Sequence, residues 1–297
     1  MLTLPPAPVA AAFALLAIAI AMVWAPRISS SPSAHSWWVL PFAAALLLAQ
    51  THGLVDTRAL FALFVFTTAC RLADQLPDGA LRGFALAVVL ALAAGLLAHA
   101  LPGFVNPRVL DGVTLGADSA PYTKYLNFDK GVLGLMVIGV YAPQQTLRRA
   151  LPGAGRGALW RFAVAAALVM AVTVLTGYAR WDPKLPSWWP LWLGSMAFLT
   201  ALPEEALFRQ LIQGGLHAWL GESSSARWTA TLAAAALFGL AHVGGGWIYV
   251  GLATLAGVGY GLVYALTRSI AAAALAHTAL NLVHFLFFSY PSLRLAP

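Results

Sequence analysis

Charge is what this chain lacks. Of its 297 residues only 9% are charged, 17 Lys and Arg against 10 Asp and Glu, while 61% are hydrophobic. A soluble domain carries about 25% charged residues, because it needs them to meet water across its surface. Much of this surface must therefore face lipid, so the bilayer itself is the first expected partner. The same shortage excludes a disordered chain and a nucleic-acid-binding domain, and no nucleic acid is expected as a partner. Cysteine is nearly absent: Cys70 alone can form no internal bridge, which excludes a disulfide scaffold. The formal charge of +7 comes from an Arg excess that in a membrane chain reports topology rather than an acidic partner. Residues 1–8 hold no Lys or Arg, and no small-x-small site follows the first apolar run. Val9–Trp24 therefore reads as a retained span and not a cleavable signal.

What is present instead is a series of apolar runs, each approaching the ~20 residues that cross a hydrocarbon core. They fall near 8–25, 37–54, 57–70, 81–101, 131–146, 158–177, 190–217, 227–243, 247–267 and 270–289. Several are short or interrupted, so the expectation is an all-α polytopic bundle of eight to ten spanning helices. Pro26, Pro77-Asp78-Gly79, Pro102-Gly103, Pro152-Gly153, Pro183 and Pro186 punctuate the runs. Arg148, Arg149, Arg156 and Arg161, with no acid among them, place that loop in the cytoplasm. Counting outward from there puts both termini outside. Trp181, Trp188, Trp189 and Trp192 gather around one helix start, as an interfacial aromatic belt does. The longest polar stretch, 102–130, reads as an ordered cap or a connector. No internal repeat is visible.

Most charges lie at the ends of apolar runs. Glu204, Glu205 and Arg209 do not; they sit inside LWLGSMAFLTALPEEALFRQLIQGGLHAWL. One charge in mid-span costs about 2.5–3.5 kcal/mol on the lenient insertion scale, so three unpaired would cost on the order of 8–10. That rivals the stability of a whole domain, so the three must be paired and face protein or water. Glu205 and Arg209 are one turn apart with Glu first, the favourable order for a pair. Glu204 lies ~100° around the helix and points into a different space. Pro203 removes one backbone hydrogen bond where the acids begin.

His242 ends the following apolar run, and His277 lies inside the last one with Asn281 one turn later. Two acids, two histidines and an amide supply a base for water, a proton shuttle and donors for an oxyanion. No serine or cysteine nucleophile is indicated. The plainer alternative is a structural ion pair with a protonated Glu204. Of the other histidines, His52 and His99 read as helix-helix hydrogen bonders, His217 as a helix-end residue, and His284 as a second lining candidate two turns from His277.

Taken together, Glu204-Glu205-x-x-x-Arg209, Phe238-x-x-x-His242 and His277-x-x-x-Asn281 resemble the three motifs of the CPBP family. These are CAAX-processing and bacteriocin-processing intramembrane endopeptidases, related to the type II CAAX prenyl endopeptidase. The resemblance covers roughly 190–289 and divides the chain into N-terminal helices of unassigned role, 1–157, and a protease-like core, 158–297. Gln210 departs from the Gly that many members carry there. The resemblance implies that Glu204 activates water, with His242 helping to hold it. It implies that His277 and Asn281 bind the oxyanion, and that Glu205 with Arg209 positions and balances the first group. Phe238, Gly244 and Gly245 are expected at the substrate cavity, three glycines at 244–246 letting a peptide backbone approach closely.

Metal use is open in such a site. Glu204, His242 and His277 can in principle hold zinc. Yet Asn281 beside His277 looks more like a donor pair, and no HExxH spacing is present; no cofactor is the preferred reading, zinc the alternative. The expected protein is a multi-pass integral membrane endopeptidase, of the plasma (inner) membrane if bacterial, hydrolysing a membrane-associated protein or peptide. The rival readings are a non-proteolytic scaffold or bacteriocin-immunity protein of the same fold, and a proton-coupled transporter.

Overall fold

The computed structural model describes residues 2–24, 36–141 and 155–294. Arg27, Arg148 and Arg149, on which much of the orientation argument rests, lie outside the described residues. Within them the chain forms ten helices at the ten expected places. They are α1 (Ala7–Trp24), α2 (Val39–Thr51), α3 (Thr57–Gln75), α4 (Ala80–Leu97), α5 (128–141), α6 (Gly155–Leu175), α7 (189–220), α8 (Ser224–Leu240), α9 (Trp247–Thr267) and α10 (Ile270–Phe287). The starts are written in the sequence. Asp56 accepts from the amides of Arg58 and Ala59 to cap α3, Ser223 caps α8 through Ala226, and Ser269 caps α10 through Ala272; each satisfies donors a helix start leaves free.

The protein is an integral multi-pass membrane protein, and its surface says why. Phe61, Phe64, Phe84, Trp160, Leu175 and Trp219 are all more than two-thirds exposed, an arrangement suited to lipid and not to water. Among the described residues four helices combine the length and hydropathy to cross a bilayer: α4, α6 (Gly157–Leu175), α9 and α10. The shorter apolar helices are α1 and α2. The core runs between the helices as one continuous cluster, drawing on residues from α1 through α10.

The stretch 102–130 is an ordered cap. It holds two antiparallel strands, β1 (Arg108–Val113) and β2 (Tyr122–Tyr125), with an irregular register pairing Arg108 with Tyr125 and Val113 with Tyr122. The segment before α7 and the tail after α10 join it: the Ser119 hydroxyl accepts from the amide of Tyr290 at 3.2 Å, Arg180 pairs with Asp118, and Ala120 donates to the carbonyl of Ser292 at 3.0 Å. Trp192, expected in an aromatic belt, belongs to this cap's interior instead. It is 1% exposed and stacks on Phe285 with ring centroids 4.1 Å apart. Trp181 is exposed, as a belt requires.

Helix α7 is not uniform. Its Trp189–Met196 turn sequence widens to π geometry at Ala197–Ala201, returns to α at Leu202–Glu205, and widens again over Ala206–Gln213. Pro203 has no N–H to give, and its ring crowds the carbonyl one turn back; the wide turns flanking it accommodate both defects. Such π segments recur at functional sites. Helix α5 packs on this stretch through glycine. A Cβ on Gly131 would meet Leu16 at 2.7 Å and Leu199 at 2.8 Å, and one on Gly134 would meet Leu202 at 3.1 Å.

Candidate active site

The two adjacent glutamates occupy different environments. Glu205 is wholly buried and its two oxygens are both engaged. Oε2 accepts from Arg209 Nε at 2.7 Å, and Oε1 accepts from His277 Nδ1 at 2.9 Å. Arg209 is also fully buried, with Gln213 Oε1 at 3.4 Å from Nη1 and its guanidinium 5.5 Å from the centre of the Phe238 ring. Gln213 in turn donates to Thr231 and to the carbonyl of Gly261, where a side chain would collide with Thr231, Gln213 and Arg209. The i, i+4 pair expected between Glu205 and Arg209 is present, and it reaches one residue further than its spacing reveals, to His277 on α10.

Glu204 faces the other way, into a cavity of about 160 Å³ enclosed by α6, α7, α8, α9 and α10. The same cavity is lined by Phe238, His242, Tyr249, Tyr260, His277, Asn281 and His284. Glu204 Oε2 lies 3.9 Å from His277 Nε2, and Oε1 lies 3.6 Å from Lys130 Nζ. Four of the six residues expected to carry the chemistry, Glu204, His242, His277 and Asn281, thus line the cavity, and Glu205 and Arg209 stand buried behind them.

Hydrogen bonding fixes which ring nitrogens are available. A carboxylate can only accept, so His277 Nδ1 carries a proton toward Glu205 and Nε2 is left facing Glu204. The Tyr260 ring stacks on this imidazole, 4.6 Å away at 10°, and locks its plane. His242 Nδ1 is 2.7 Å from the carbonyl of Phe238, so it donates there and Nε2 is the free nitrogen. Asn281 gives one amide hydrogen to the carbonyl of His277 at 3.2 Å and keeps a second for the cavity.

Gly244 and Gly245 do not line the cavity; they form an exposed turn between α8 and α9. The site needs Gly245 for another reason: a Cβ there would run into the Tyr249 ring, and Tyr249 is a cavity wall that packs edge-on against His242. Gln210 accepts from the Tyr264 hydroxyl at 3.0 Å, a contact a glycine there could not make. His284 lines the cavity while holding the Ser289 carbonyl. His99 bonds Asp129 at 2.6 Å, joining α4 to α5.

Sequence reasoning missed Tyr249, Tyr260 and Lys130. The tyrosines sit in an apolar helix where they read as core. Lys130 sits at the boundary between a polar loop and an apolar run, where a lysine is ordinary; only the packing of α5 on α7 brings it to Glu204. Among the described residues no three His, Cys, Asp or Glu side chains are grouped as a metal-binding set.

Against known proteins, residues 186–283 match the model of the family described as type II CAAX prenyl endopeptidase Rce1-like. The matched span contains every motif residue from Glu204 to Asn281, and it bears out the resemblance read from those motifs. No curated protein and no solved structure matches the chain. At family level the match supports an intramembrane CAAX endopeptidase acting on a membrane-associated substrate.

Proposed function

We propose that this protein hydrolyses a peptide bond of a membrane-associated protein or peptide using water activated directly by Glu204. The observation that carries this reading is the division of labour between neighbouring carboxylates. Glu205 spends both oxygens on Arg209 and His277, whereas Glu204 keeps its oxygens at the cavity, beyond 3.5 Å from any cation. A base must reach its water, and only the second arrangement leaves room for one.

The steps follow from the donors and acceptors available. Water held between Glu204 and His242 Nε2 loses a proton to the Glu204 carboxylate, and its oxygen adds to the scissile carbonyl carbon. The carbonyl oxygen becomes an oxyanion facing His277 and Asn281. Asn281 supplies its free amide hydrogen. His277 turns Nε2 toward the oxyanion, its ring oriented by the bond from Nδ1 to Glu205. Collapse of the tetrahedral centre breaks the C–N bond, and the proton on Glu204 passes to the departing nitrogen. A carboxylic acid and an amine leave, and Glu204 is again a carboxylate. Preorganised donors of this kind are worth about 10²–10³ in rate each.

Mass spectrometry of membranes from cells carrying the native protein or the Glu204→Gln variant tests the reading. Peptide termini present with native protein and absent with the variant, at equal protein levels, are the expected result. The same termini in both would overturn it.

A further inference from the structure

The active-site cavity does not stand alone. A second, larger pocket of about 480 Å³ lies beneath the cap, lined by His99, Asn106, Lys124, Asn127 and Lys130 among others. It shares Met196, Thr200 and Tyr290 with the wall of the active-site cavity, so the two spaces adjoin across a common wall. Its size falls in the usual range for ligand sites, about 300–1,000 Å³.

Its lining has an unexplained charge. On β2 the residues alternate, Tyr122 and Lys124 inward and Thr123 and Tyr125 outward. Lys124 is thus 9% exposed, yet among the described residues its ammonium has no hydrogen-bond or ion-pair partner. A buried cation without a counter-ion is costly. Burial and the like charge of Lys130 pull the Lys124 ammonium down to about 8, and Glu204 opposes them. Lys130 lines the larger pocket while its Nζ sits 3.6 Å from Glu204, which lines the smaller one. Its position is built. The Asn106 side chain accepts from the amide of Phe128, and Asp129, 1% exposed, is held by His99 and Asn106 at the first turn of α5. Among the described residues the one acid in ion-pair range of either ammonium is Glu204, the group that the proposed chemistry uses to handle a proton.

We propose that Lys124 and Lys130 form a subsite for a carboxylate of the bound peptide, seated beside Glu204. The inference rests on the peptide substrate of the preceding section, and it assigns a binding role to residues outside the matched span of 186–283. A carboxylate placed there gives Lys124 its missing counter-ion and relieves Lys130 of sharing Glu204. Binding would thereby free the base at the moment substrate arrives. The carboxylate has two possible sources, the free C-terminus of the peptide or an Asp or Glu side chain near the cleaved bond.

The test is binding, which needs no cleavage. Full-length Glu204→Gln protein in neutral phosphatidylcholine nanodiscs is titrated with tetramethylrhodamine-labelled apolar octapeptide pools, read by fluorescence anisotropy. The pools carry a free or amidated C-terminus, with or without one acidic residue. At least tenfold tighter binding of a carboxylate-bearing pool is expected, falling below twofold in Lys124→Gln and in Lys130→Gln. Preference for the free terminus or for the acidic residue identifies the source; either supports the subsite. Equal binding of all pools, or none, overturns it. So does lysine-dependent copurification of phosphatidylglycerol with no preference among the pools, which would give the lysines to a lipid headgroup. A second measurement uses the native protein without substitutions: acetic anhydride labelling of Lys124 and Lys130, slowed at least fivefold by the carboxylate pool and not by the uncharged one. Unaltered labelling contradicts the proposal. A lysine-dependent preference in a protein that never cleaves would refute proteolysis and leave the subsite; cleavage indifferent to both lysines would do the reverse.

Discussion

Replacing Glu205 by Gln should damage this protein in two separable ways, one electrostatic and one catalytic. The side chain is wholly buried and holds both Arg209, at 2.7 Å, and His277, at 2.9 Å. Removing its charge leaves the Arg209 guanidinium fully buried with Gln213 at 3.4 Å and the Phe238 ring, and one of its nitrogens, Nη2, already lacks a partner among the described residues. Breaking a buried pair from one side costs about 3–5 kcal/mol, a large part of the 5–15 typical of a folded domain. The catalytic loss is separate: without the carboxylate at Nδ1 the His277 ring loses the partner that orients it toward the oxyanion, a loss of about 10²–10³ in kcat. The double variant Glu205→Gln/Arg209→Met tells the two apart, because replacing both partners by groups of similar volume is often neutral. Stability should return and activity should not. Cys70, the sole thiol and fully buried, gives the stability readout through a thiol-reactive dye during heating; cleavage is read from the termini described above. A Glu205→Gln variant with native unfolding temperature and native turnover would refute the reasoning outright.

Further outcomes are expected. Asn281→Ala should lower kcat by about 10²–10³ without altering thiol release on heating; an unchanged rate would reduce Asn281 to its bond with the His277 carbonyl. Gly131→Ala should cost about 1–3 kcal/mol by overpacking, since its Cβ meets Leu16 at 2.7 Å and Leu199 at 2.8 Å; native thermal stability would show that α5 and α7 can part cheaply. Lys124 has a folded pKa of about 8 against an ordinary 10.5, so its burial opposes folding below pH 8 and the penalty is relieved as pH rises to 10.5. Lys124→Met should therefore gain on the native protein at pH 7, and the margin should shrink by about 3 kcal/mol by pH 11. A margin independent of pH would mean that Lys124 is well solvated.

The helices were legible because lipid demands long apolar runs and tolerates few exceptions. All ten lie where the runs are, and the three misplaced charges marked the helix that matters. An ordered cap was one of two readings of 102–130, but its strands were not legible: β1 and β2 are short and irregular in register, and the turn between them is held by a distant partner, Ser119 meeting Tyr290 171 positions later. Periodicity cannot see such contacts. The i, i+4 spacing of Glu205 and Arg209 gave their pairing, but the third member, His277, comes from a helix 72 positions later. The glycines at 244–246 fit a substrate mouth or an ordinary interhelical turn equally well in sequence, and they form a turn. Small residues mark close approach, and here the approaching group is the protein's own Tyr249.

The order in which the charges are made has a consequence for biogenesis. Domains and helices emerge N-terminus first, and an uncompensated charge resists transfer into the bilayer. Lys130 is synthesised before Glu204, and Arg209 follows Glu205 within one turn. When α7 leaves the ribosome, each acid therefore has a cation already present or about to appear, with no need to wait for α10. His277 and Asn281 arrive last, into a site whose charges are already matched, and only with them are all residues of the proposed hydrolytic centre present. The growing chain is thus electrostatically settled before the proposed chemistry can begin.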